Sequence, residues 1–89
     1  MTDTPKVILI VDDDPDIRLL LDFNLSAEGY EILEAANGAD ALEIIKTNNV
    51  NLVITDLTMP VMDGYELIKN LREISTTTRI PVLLLTGRE

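Results

Sequence analysis

The stretch Val7–Arg18, VILIVDDDPDIR, decides the fold. Its first part, Val7–Val11, is an uninterrupted apolar run rich in β-branched side chains, the composition of a strand buried on both faces. Asp12, Asp13 and Asp14 follow without a break, and then Pro15. Asp14 before Pro15 reads as a helix N-cap and first helical position. The segment is therefore a buried strand that ends in carboxylates and turns directly into a helix. Burying an unpaired carboxylate costs several kcal/mol, so acids at the end of such a strand need a reason. The same arrangement recurs where Leu52–Thr55, LVIT, runs into Asp56. Two parallel strands that deliver acids to one place form a self-repelling cluster, and such a cluster calls for a cation.

The rest of the chain repeats the alternation. After Pro15, the residues Ile17, Leu20, Leu21, Asn24 and Leu25 recur at helical spacing, and Gly29 closes the helix. Tyr30–Ala35 alternates as a short second strand, and Asn37-Gly38 is a turn signal. Ala41, Leu42 and Ile45 mark the inner face of a second helix. A polar break at Asn48–Asn51 leads into the third strand, Leu52–Thr55. A Met-Pro loop and Gly64 then precede a third helix carrying Leu67, Ile68, Leu71 and Ile74. Ser75–Arg79 is a polar connector, and Pro81 introduces a fourth buried strand, Val82–Leu85, that ends at Thr86-Gly87. The order β-α-β-α-β-α-β predicts a parallel sheet with right-handed crossovers and helices on both faces.

Composition narrows the function. At 89 residues the chain, 1–89, is expected to be a single domain, and 46% hydrophobic residues suffice for one core. A net charge of −9 disfavours nucleic acid and anionic membrane, and suits divalent cations or a basic partner. There is no cysteine and no histidine, which removes thiolate metal sites, disulfides, the usual general base and the commonest transition-metal ligand. The polar, acidic start MTDTPK is unlike a signal peptide, and no apolar run approaches the roughly 18 residues of a membrane span. A cytoplasmic chain is expected.

In open α/β sheets ligands bind outside the carboxyl ends of the strands, where Asp12, Asp13, Asp56 and Thr86 all fall. Asp14 is accounted for as a helix cap. An oxygen-only donor set selects a hard ion, Mg²⁺, Mn²⁺ or Ca²⁺. A calcium loop of the EF-hand type would use the alternating Asp12, Asp14 and Asp16, but Ile17 stands where it needs glycine and Phe23 where it needs glutamate. A haloacid-dehalogenase-like phosphatase also places an Asp nucleophile at a strand end, but would want a second Asp at Thr58.

With these residues in place the chain resembles the receiver domain of two-component response regulators. The resemblance rests on VILIVDDDPDIR, on LVITDLTMPVMDGYEL with its D-x-x-M-P-x-M-D-G loop, and on IPVLLLTG, and it runs from Val7 to Glu89. It implies a flavodoxin-like parallel sheet with strand order 2-1-3-4 in this chain, from a family order of 2-1-3-4-5. It implies that Asp56 is the phosphoacceptor. Asp13, Asp56 and the backbone carbonyl of Thr58 would ligate Mg²⁺, or Mn²⁺ in its place, with Asp12 acting through coordinated water. Thr86 would be the switch hydroxyl that meets the phosphoryl group. Pro60 and Gly64 would shape the loop after Asp56, while Met59 and Met62 read as packing residues. The implied partner is a sensor histidine kinase or phosphotransfer protein.

The chain also departs from the family pattern. The last helix-strand-helix of the family, with its phosphate-contacting lysine and switch aromatic, has no counterpart in these 89 residues. The chain is thus expected to be the N-terminal three-quarters of a receiver domain. Uncovering several hundred Å² of apolar surface costs on the order of 10 kcal/mol at about 25 cal/mol per Å². That predicts a homodimer, by edge-to-edge pairing or segment exchange through the fourth strand, or else a fragment of a longer protein. Whether the chain counts as an enzyme stays open, since family members catalyse their own phosphorylation and dephosphorylation yet serve as signalling proteins. The competing function is a truncated or engineered fragment acting as a non-switching interaction or dimerisation module.

Overall fold

The apolar run Val7–Val11 forms the first strand, β1, and lies in the middle of the structure, a computed structural model that describes residues 4–56, 62–74 and 79–85. The elements follow in strict alternation: β1, α1 (Pro15–Ala27), β2 (Glu31–Ala35), α2 (Gly38–Thr47), β3 (Leu52–Asp56), α3 (Gly64–Glu73) and β4 (Val82–Leu85). The strands form one parallel sheet in the order β2-β1-β3-β4. This is the order expected from the sequence, and the fold is the flavodoxin-like receiver type.

The topology puts the helices on two faces. From β1 the chain moves to β2 on one side, and every later crossover moves the other way. With crossovers of one hand, α1 must then lie on the opposite face from α2 and α3. The core divides accordingly. Leu9, Val11 and Val53 face α2 and α3 and pack with Ala41, Ile45, Leu67 and Leu71. Ile8, Ile10 and Ile54 point to the other face, where Leu21 and Leu25 of α1 and Leu85 of β4 pack against them.

Local signals account for the helix ends. The Asp14 side chain accepts from the Asp16 amide at 2.9 Å, with Pro15 at the first helical position, so the expected cap is present. At the other end of α1, the Tyr30 amide donates to the Leu25 carbonyl at 3.3 Å and the Gly29 amide to the Ser26 carbonyl at 3.0 Å. This is a Schellman closure, and Gly29 supplies its left-handed residue at φ 97°. Asn37 caps α2 by accepting from the Asp40 amide, so the Asn-Gly pair starts a helix as well as turning the chain.

Some boundaries differ from the sequence reading. Tyr30 precedes β2 rather than beginning it, because it is taken up in the closure of α1. Asp56 is the last residue of β3, carried into the ladder by its pairing with Leu85. Ile74 is the C-cap of α3. Leu20, one of the helically spaced residues of α1, is 58% exposed, and the side chains packed on the sheet are Leu21 and Leu25.

Candidate functional site

The switch in crossover direction lies between β1 and β3, and the acids sit at its carboxyl end. Val11 pairs with Thr55, so the residues after them, Asp12 and Asp56, come out side by side. Asp12 has no solvent exposure and Asp56 only 6%, whereas Asp13 is exposed. One carboxylate oxygen from each of Asp12, Asp13 and Asp56 lies within 4.8 Å of the others. The group is thus a buried pair with a third acid on its solvent side.

The loop after β1 holds this group by hydrogen bonds. The Asp12 amide donates to the Ala35 carbonyl at the end of β2 at 3.1 Å, extending the ladder past the last strand residue. An Asp12 carboxylate oxygen accepts from the Asp14 amide at 2.9 Å, an Asx turn that bends the chain into α1. The Asp12 carbonyl accepts from the Arg18 guanidinium at 2.7 Å, and that guanidinium also pairs with Glu34 of β2 at 3.1 Å. Below the site, the Thr55 hydroxyl is fully buried and donates to the Asp56 carbonyl at 3.0 Å.

The donor chemistry fits a hard divalent cation. Three carboxylates converge in a chain with neither His nor Cys. For the buried Asp12–Asp56 pair alone, like charges within 4.8 Å repel by on the order of 3 kcal/mol at an effective dielectric near 20. A cation at this spot would reverse the sign of that interaction.

Of the other residues singled out by sequence, Thr58, Pro60 and Thr86 lie outside the described residues, as does Met59. Gly64 is the buried first residue of α3, where it ends the loop after Asp56. Three contributors went unnoticed in the sequence. Asp63 caps α3 by accepting from the Glu66 amide at 2.9 Å; an acid three residues before a glutamate at a helix start was the available signal. The Gly38 amide donates to the Met62 carbonyl at 3.0 Å, tying α2 to the loop between β3 and α3. The third is Arg18, whose contacts are described above.

This combination of fold and site has known counterparts. Residues 8–89 match the response regulator receiver domain family, and the chain belongs to that family. It is 38% identical over 87 residues to the transcriptional regulatory protein GlrR of Escherichia coli, covering 98% of this chain and 19% of that one. It is 40% identical over 80 residues to sporulation initiation phosphotransferase F of Bacillus subtilis, covering 90% and 64% respectively. The structure superposes on the chemotaxis protein CheY4 of Vibrio cholerae with a TM-score of 0.91 at 35% identity, covering 97% of this chain and 72% of that one. The chain thus spans less than two thirds of either curated relative. It is a receiver domain of the two-component response regulator type. No helix among the described residues is long and apolar enough to cross a membrane.

Proposed function

We propose that the chain accepts a phosphoryl group on Asp56 from a histidine kinase or phosphotransfer protein. The observation that carries this reading is the placement of Asp56 at the end of β3, within 4.8 Å of the carboxylate oxygens of Asp12 and Asp13. A carboxylate oxygen of Asp56 attacks the phosphorus of a phosphohistidine. The new O–P bond forms as the donor N–P bond breaks, and the imidazole leaves with the bonding pair and is protonated from solvent. Asp12, Asp13, Asp56 and the Thr58 backbone carbonyl would hold Mg²⁺ or Mn²⁺. Bound there, the ion supplies neutralising charge between the carboxylate and the phosphoryl oxygens. The buried Thr55 and the β1 and β4 ladders hold the Asp56 backbone still during the attack. The product carries about two negative charges and strong acceptor oxygens, and the Thr86 hydroxyl would donate to it, shifting the loop that follows β4.

Incubation with acetyl phosphate and Mg²⁺, followed by intact-protein mass measurement, tests the reading. The expected result is a gain of one phosphoryl group that disappears in Asp56→Asn. No gain in the wild type, or an equal gain in Asp56→Asn, removes Asp56 as acceptor.

A second reading, an interaction module that pairs through β4, draws on one observation. Leu83 is 53% exposed, and among the described residues β4 pairs with β3 alone. Self-association without phosphorylation would favour it.

A further inference from the structure

We propose that Arg18 is a positioning residue for the acidic pocket: its guanidinium ties the Asp12 backbone carbonyl to Glu34 and so sets the direction in which Asp12 and Asp13 present their carboxylates. The proposal rests on the reading of that pocket as a cation site. Arg18 lies in the first turns of α1, where side chains lean back toward the helix start and hence toward the end of β1. Its Nη1 donates to the Asp12 carbonyl at 2.7 Å and its Nε to Glu34 Oε1 at 3.1 Å. The planar fork of the guanidinium suits two acceptors held on separate elements, which a lysine ammonium cannot match in one geometry.

The carbonyl that Arg18 grips belongs to the peptide linking Asp12 to Asp13. The Asp12 amide is already held by the Ala35 carbonyl at 3.1 Å and its carboxylate by the Asp14 amide at 2.9 Å. Arg18 adds a side-chain bond to the Asp12 carbonyl, on the peptide that leads into Asp13. Asp13 is exposed, and the peptide before it sets where its Cα and Cβ start. Glu34 has a second effect. It neutralises the guanidinium, so that Arg18 adds no net positive charge to compete with a cation for the pocket. The Arg18 and Glu34 side chains are 20% and 36% exposed, and a pair so close to solvent contributes little to stability. Its weight lies in geometry.

The test is Mn²⁺ titration of the full chain by electron paramagnetic resonance for the wild type, Asp13→Asn, Arg18→Ala, Arg18→Lys and Glu34→Gln. Urea unfolding and amide NMR spectra are recorded for each without metal. Arg18→Ala and Arg18→Lys should both weaken Mn²⁺ binding about tenfold, the scale seen when partners of metal ligands are lost. The Asp13 and Asp14 amide resonances should shift in both variants while the urea midpoint barely moves. Glu34→Gln should give a smaller loss of affinity. Saturating metal should restore the wild-type rate of phosphorylation by acetyl phosphate, placing the defect on metal binding. If Arg18→Lys binds Mn²⁺ like the wild type, or if Arg18→Ala lowers stability with affinity unchanged, the positioning role is wrong. Wild-type protein that binds Mn²⁺ no better than Asp13→Asn would sink the cation reading itself, and the Arg18 proposal with it.

Discussion

Asp12 and Asp13 are adjacent in sequence, yet one is fully buried and the other exposed. The bend into α1 after Val11 leaves one inward beside Asp56 and the other toward solvent. The acids were legible in the sequence because Asp12 and Asp13 end the apolar run Val7–Val11 and Asp56 ends Leu52–Thr55. Asp14 was legible as a cap because Pro15 follows it. Arg18 was not, because its main contact is with a backbone carbonyl, and side-chain identity carries no mark of that. Two outcomes are expected at this scale. Leu9 is fully buried between the sheet and α2 and α3, so Leu9→Ala should lower the urea-unfolding free energy by about 2–5 kcal/mol. Asp14→Ala, which removes one cap hydrogen bond, should cost only about 1 kcal/mol.

Elements were legible where periodicity and punctuation agreed. The strands β1, β3 and β4 are largely apolar runs and β2 alternates, and the helices begin with Asp14, Asn37 and Asp63 in the cap position. The inward face of α1 was harder to read, since Leu19, Leu20, Leu21, Phe23 and Leu25 offer more apolar positions than one face can hold. The helix resolves this by turning Leu21 and Leu25 to the sheet and leaving Leu19, Leu20 and Phe23 exposed. Contacts between elements were beyond reach of the sequence. A Cβ on Gly38 would stand 2.6 Å from the Met62 carbonyl oxygen and 2.8 Å from its Cβ. Gly38→Ala should therefore destabilise the fold by about 1–3 kcal/mol, read from urea unfolding. Adding Met62→Ala should relieve it only in part, because alanine removes the Cγ at 2.8 Å but keeps the carbonyl oxygen and the Cβ.

Among the described residues, α2 and α3 cover one face of the sheet while α1 alone serves the other. The exposed Leu19, Leu20 and Phe23 of α1 and Leu83 of β4 belong to that second side. An exposed leucine on an edge strand favours association. The 89-residue chain should elute above monomer mass by size-exclusion chromatography with light scattering, and Leu83→Lys should shift it toward monomer. A single monomeric species at every concentration would remove the pairing expectation. A last consequence follows from the ladder that sets Val11 opposite Thr55. A slip of one residue would turn Asp56 to the face of α2 and α3, and the acids would never meet. Only a chain with its strands in true alignment offers the pocket, so a cation that binds there binds the native state selectively. The acids come together only once β3 has docked beside β1, and the expectation is that this docking follows the folding transition state. Mg²⁺ should accordingly slow unfolding in stopped-flow urea experiments and leave the refolding rate nearly unchanged, a difference absent in Asp13→Asn. Ion binding would then act as a proofreading step for strand alignment.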